Sequence, residues 1–176
     1  DTQEMAVTDK GINITTHEGW LFLSSNRKRA IRLNKDRIIF MTSEYDRFPN
    51  LLKDCKTALS FIEKKIKPSF IERVGLRYTD LIIAKNDNEI IESYVDQLIC
   101  NAGQLFKIGD QIHRGNETVL KTDVGLMVVR SLYGNLNLSA WHDLSDPPVV
   151  IEKYSEPSKR ILLDFDHFWL SRDESV

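Results

Sequence analysis

No apolar run in this chain approaches the roughly 20 residues that a helix needs to cross a bilayer, so the sequence predicts no membrane span. Cysteine is scarce: only Cys55 and Cys100. Each falls on the apolar side of an expected helix, where a thiol behaves as a small hydrophobe. A reduced, buried pair is therefore expected rather than a disulfide framework, which points to the cytoplasm. Gly-x-Gly-x-x-Gly, the P-loop, paired Cys-x-x-Cys and Gly-x-Ser-x-Gly are all missing. Their absence excludes the common nucleotide sites, zinc sites and nucleophile elbows, so no cofactor is expected and catalysis is disfavoured. The opening Asp1-Thr2-Gln3-Glu4-Met5 has no basic segment followed by an apolar one, so it predicts no signal peptide. It also lacks an initiator Met, which reads as a piece of something longer.

What is present is an ordinary globular composition. With 176 residues, 41% hydrophobic and 28% charged, the chain is sized for one domain whose core needs neither disulfide nor metal. The net charge of −2 is unevenly spread: residues 1–85 carry a balance of +5 and residues 86–176 one of −7. A solvated, mixed-charge surface accounts for that, although a head-to-tail contact would use it too.

The first forty residues read as a β-meander. Runs at Gly11–Thr16, Gly19–Ser24, Ala30–Leu33 and Arg37–Thr42 are separated by turn formers such as Ser25-Asn26-Arg27 and Asn34-Lys35-Asp36. Trp20 and Phe22 alternate with Leu21 and Leu23, so this strand is apolar on both faces and is expected at the centre of a sheet. Phe48, Leu51, Leu52, Cys55, Leu59, Ile62 and Ile66 recur at steps of three and four, predicting a helix over about 47–65. Asp46 is the expected N-cap, Pro49 falls in the first turn, and Lys67-Pro68 ends the helix. A strand over 70–83 and a second helix over about 89–101 follow, then loop over 104–116. Further strands are expected at 118–122, 125–132 and 136–140, the last two joined by a Gly134-Asn135 turn, and a final pair at 149–154 and 160–170. Strands interrupted by only two helices indicate an α+β fold. The expectation is a single domain over 1–176, with a mostly antiparallel curved sheet and two main helices packed on it.

One polar constellation stands out. In Arg73-Val74-Gly75-Leu76-Arg77-Tyr78-Thr79-Asp80, alternation sends Val74, Leu76, Tyr78 and Ile82 to an expected core face, and Arg73, Gly75, Arg77 and Thr79 to the other. In the last strand, Leu163, Phe165 and Trp169 share one face, while Asp164 and Asp166 share the other with Leu162 and Phe168. If the two strands lie together, Asp164 and Asp166 meet Arg73 and Arg77, and Arg–carboxylate pairing satisfies both signs. Two carboxylates at i and i+2 could also ligate Mg²⁺ or Mn²⁺. His167 points away from them and no motif supplies a third carboxylate, so no metal is expected.

The stretch Arg73–Asp80 resembles the signature strand of a sporadically distributed family of uncharacterised prokaryotic proteins. The likeness extends to Gly19-Trp20-Leu21-Phe22-Leu23-Ser24-Ser25 and to Leu162-Leu163-Asp164-Phe165-Asp166. It covers residues 19–83 well and the rest loosely. Asp80 stands where the family usually has Asn, and Thr79 where it has an aliphatic residue. Family members carry extra sequence at both ends, including a helix after the Asp-rich strand, so the resemblance implies a shortened chain. It implies no activity.

Three functional readings remain. The first is a non-catalytic binding or interaction module, with a protein partner or self-association, in which the Arg/Asp cluster is structural. The second is a cleft where Arg73, Arg77, Asp164 and Asp166 hold or act on a phosphate-bearing or other anionic ligand. The third is nucleic-acid contact through the basic hairpin of Arg27, Lys28, Arg29, Arg32, Lys35 and Arg37, six cations in eleven residues. No aromatic platform is interleaved there, so stacking on single strands is unsupported.

Overall fold

Short alternating apolar runs fold about half of the described residues as strand. The computed structural model describes residues 2–8, 11–17, 19–86, 88–96, 99, 112–144 and 147–171, the first two stretches as backbone alone. All sheet pairing in them is antiparallel. The chain divides into two compact units, Asp1–Lys67 with Asp146–Ile151, and Pro68–Ser145 with Glu152–Val176.

In the first unit, β1 (Thr2–Thr8) and β2 (Gly11–His17) pair as a two-stranded sheet. β3 (Gly19–Leu23), β4 (Arg29–Asn34) and β5 (Ile38–Thr42) form a three-stranded meander in that order. β3 is therefore an edge strand, not the central one its two apolar faces predict. The single α-helix among the described residues, α1 (Phe48–Ile66), follows. Its N-cap is Arg47 rather than Asp46, whose carboxylate instead accepts a 2.9 Å bond from Asn50 Nδ2. Pro49 sits in the first turn, and Lys67 closes the helix in the left-handed region (φ 50°) with its N–H on the Glu63 carbonyl. The helical stripe is only partly covered: Leu51, Cys55, Ala58 and Ile62 are half-buried, while Phe48, Leu52, Leu59 and Ile66 are exposed. Arg29 reaches Asp54 of α1 at 3.4 Å. A groove of about 410 Å³ separates Phe22, Ile31 and Phe40 on the sheet from Thr57 and Ala58 on the helix.

The second unit is a four-stranded sheet of order β6 (Arg73–Ile83), β9 (Ser158–Leu170), β8 (Gly125–Leu136), β7 (His113–Thr122). Its apolar core gathers Ile161 and Leu163 of β9 with Ile91 and Val95, and Ile82, Tyr133 and Phe165 pack around them. The expected second helix is a 3-10 turn at Ile91–Tyr94, with Val95 already extended. β-Branched Ile90, Ile91 and Val95 disfavour a longer helix, and one turn suffices to bury Ile91 and Val95. Residues 97, 98, 100 and 101 lie outside the described part, as do Cys100 and most of the loop expected at 104–116; residues 113–116 belong to β7.

Gly134 marks a close approach rather than a turn. β8 runs straight through it, and a Cβ there would lie 2.7 Å from the Ile112 carbonyl and 2.9 Å from His113 Cβ. No separate strand follows at 136–140, and 149–154 is irregular. The Val74 and Leu76 end of β6 is exposed, so only the Ile82 end of that face is core.

Candidate functional site

Alternation along β6, β8 and β9 places the ionic side chains, and register brings them together. Arg77 lies opposite Asp166, Thr79 opposite Asp164, Arg130 opposite Asp164, and Glu117 of β7 opposite Arg130. Directly paired residues of antiparallel strands share a face, so all these groups emerge on one side. The side chain of Asp164 is fully buried. Arg77 Nε donates to its Oδ1 at 2.7 Å and Nη2 to its Oδ2 at 3.0 Å, the bidentate fork that suits a planar guanidinium. Arg130 Nη1 donates to the same Oδ2 at 2.8 Å.

Each arginine holds a second carboxylate. Arg77 Nη1 and Nη2 donate to Asp143 at 2.6 and 3.2 Å, and Arg130 Nε donates to Glu117 Oε2 at 2.6 Å. The network thus runs Asp143–Arg77–Asp164–Arg130–Glu117 across all four strands and into the 3-10 turn His142–Leu144. The Asp143 bonds, followed by those to Asp164, push the Arg77 guanidinium up; the Arg77 bonds hold the Asp143 carboxyl below its usual range. Glu117, then Asp164, does the same for Arg130.

The sequence has Asp164 and Asp166 meeting Arg73 and Arg77 if the two strands lie together; β6 and β9 do pair, and Arg73 and Asp166 form a separate contact beside that centre. Arg73 Nη2 is 3.6 Å from Asp166, and the guanidinium stacks on Phe168 at 4.2 Å from the ring centroid, half-exposed. Sequence reading missed Arg130, Glu117 and Asp143. A lone arginine in Val128-Val129-Arg130-Ser131-Leu132 was the available signal for the first. Asp143 comes from an irregular connection, so no periodicity could have nominated it.

Chemically the cluster is saturated. Every nitrogen of Arg77 is committed to a carboxylate, and three carboxylates face two guanidinium groups, which leaves a negative excess at the centre. Among the described residues, no three His, Cys, Asp or Glu side chains are grouped to hold a metal ion. Cys55 is half-buried on α1, and burial followed by neighbouring Asp54 pushes its thiol up, away from thiolate chemistry. On the other sheet face, burial and then Glu92 push the Tyr133 hydroxyl up to about 12, and Arg114 lies over its ring at 5.2 Å.

A second buried cation, Arg160, has a different environment. It donates to the carbonyls of Leu138 (2.8 Å), Tyr154 (3.3 Å) and Glu156 (2.6 Å), and to Ser158 Oγ. These acceptors flank the long β8–β9 connection, so one side chain gathers both of its ends.

The basic hairpin spreads its charges. Arg27 and Lys28 occupy the β3–β4 turn, Lys35 the β4–β5 turn and Arg37 the residue before β5, at opposite ends of β4. Arg29 and Arg32, three apart on β4, point to opposite faces. Lys28 and Arg29 lie within 4.0 Å of Glu44, Arg29 also meets Asp54, and Arg37 pairs with Asp36 at 2.9 Å. Compared with protein-family models, with curated proteins and with solved structures, the chain matches none.

Proposed function

We propose that this chain is a non-catalytic interaction module, in which the Arg77–Asp164–Arg130 network is architectural and the apolar surface of the first unit does the binding. The observation that carries the reading is β3. Its side chains are exposed on both faces, with Trp20 at 66% and Phe22 at 56%, and α1 adds Phe48, Leu52, Leu59 and Ile66. Bare apolar surface on a strand and on a helix of one unit supports a contact role.

The ionic cluster favours the same reading. A one-residue slip of β6 against β9 would turn Arg77 to the opposite face, and a two-residue slip would carry it about 7 Å from Asp164. Such a network fixes register, the best-attested use of buried ion pairs. On this view the strand Arg73–Asp80, which carries the family resemblance, is a shared structural lock rather than a ligand site. The saturated donors and the excess of carboxylate weigh against an anionic ligand.

Native mass spectrometry of protein purified without added ligand tests the proposal. A second polypeptide, the same chain or another, is expected to be retained. A bound small anion with no second polypeptide would replace the module with the anion-cleft reading.

A further inference from the structure

We infer that β3 pairs with β3 of a second copy, antiparallel and centred on Leu21, joining two three-stranded sheets into one of six strands. The inference rests on the module reading and names its partner.

Main-chain geometry gives the first argument. Ser24 N–H donates to the Arg29 carbonyl at 3.0 Å, and the register then runs Leu23↔Ala30, Phe22↔Ile31, Leu21↔Arg32, Trp20↔Leu33. Bonded and non-bonded pairs alternate in an antiparallel ladder. Phe22 and Trp20 therefore bond to β4, while Gly19, Leu21 and Leu23 direct their N–H and C=O groups outward. Among the described residues, β3 has no neighbour on that side in its sheet. A two-fold axis at Leu21 sets Leu21 against Leu21 and Gly19 against Leu23, using all of those outward groups in about six hydrogen bonds.

Side chains give the second. The same register brings Trp20 against Phe22 of the other copy, twice, at the non-bonded positions where side chains approach most closely. Aromatic cross-strand pairs are the stabilising kind. The strand Gly-Trp-Leu-Phe-Leu carries no charge, proline or bulge, the devices that protect an edge. The two edges of the four-stranded sheet are protected: β6 carries Arg73, Arg77 and Asp80, and β7 carries Arg114, Glu117 and Lys121.

Area sets the strength. Trp20, Leu21, Phe22 and Leu23 are 66%, 45%, 56% and 40% exposed, which amounts to roughly 400 Å² of bare side chain per copy. A standard interface buries about 800 Å² per partner. The strand pair alone is thus about half the size of a standard interface, which makes the dimer reversible and dependent on concentration.

Sedimentation velocity over a concentration series reads the association. A monomer–dimer equilibrium is expected. Leu21→Lys, which sets two ammonium groups across the axis, should weaken it at least about tenfold; its side chain is exposed, so the circular dichroism and melting temperature should stay as in the parent. Leu21→Cys should cross-link to a covalent dimer under diamide, whereas Val124→Cys at the β7–β8 hairpin tip should not. A monomer at every concentration, a dimer indifferent to Leu21→Lys, or equal cross-linking at both cysteines would overturn the pairing. A monomer that nevertheless retains a different polypeptide in native mass spectrometry sinks self-pairing and spares the module; a monomer at every concentration that also retains no polypeptide sinks both.

Discussion

Asp164 shows how a single side chain can depend on two others. It is fully buried and receives three charged hydrogen bonds, two from Arg77 and one from Arg130. Removing one arginine leaves the carboxylate with the other; removing both leaves a buried charge with neither. Arg77→Ala is therefore expected to cost about 3 kcal/mol, nearly all through Asp164, because the Asp143 contact is half-exposed and screened. The double variant Arg77→Ala/Arg130→Ala should lose more than the sum of the single losses. Urea unfolding of the four proteins measures the cycle, and strict additivity would contradict a shared buried anion. The Asp143 contact carries its own pH signature. Its carboxyl is held below the ordinary value in the folded protein, so its contribution is present above the unfolded pKa and disappears as pH falls through the lowered one. Arg77→Ala should flatten that acid limb. At this scale the sequence was informative where side chains lie on strands: alternation puts Arg77 and Asp164 each on the ionic face of its own strand, and the β6–β9 register then joins them. Asp143 and Glu117 were hidden because their partners come from register and from an irregular turn.

Among the elements, the long β8–β9 connection depends most on one residue. Arg160 is buried, meets no carboxylate among the described residues, and is pushed down by desolvation; backbone carbonyls take the place of a counterion. Arg160→Met would leave the Leu138, Tyr154 and Glu156 carbonyls without this donor. A loss of about 3 kcal/mol or more is expected, together with faster limited proteolysis between residues 138 and 157. Arg160→Lys should recover only part, since one ammonium cannot reproduce the planar fork. Unchanged proteolysis of the Met variant would show that the connection holds without the cradle. Elements also mark where local pattern misleads. Gly134-Asn135 has turn chemistry, yet the strand continues because β7 passes too close for a Cβ. Residues 89–95 have helical spacing, yet one 3-10 turn buries both apolar residues that matter.

Across the molecule, burial is unequal. Ile91, Val95, Val128, Ile161, Leu162 and Leu163 are buried in the second unit, whereas α1 in the first has no buried residue. Hydrogen-exchange protection follows burial and cooperative packing. Amides of β8 and β9 are expected to exchange slowest and those of α1 much faster, measured by native-state exchange with residue resolution. Equal protection in α1 and β9 would mean that the first unit is packed far better than its exposed stripe suggests.

By itself the sequence determined the antiparallel α+β class, the place of α1, and the faces of their own strands on which Arg77 and Asp164 lie. Each follows from a local period, 2 for a strand or 3.6 for a helix, which side-chain order alone encodes. Only the tertiary structure decided that β3 is an edge, that Arg130 completes the buried network, and that Arg160 gathers the β8–β9 connection. Those depend on which strand lies beside which. That is a property of distant residues, and a strand apolar on both faces reads the same whether its outer neighbour is its own chain or another.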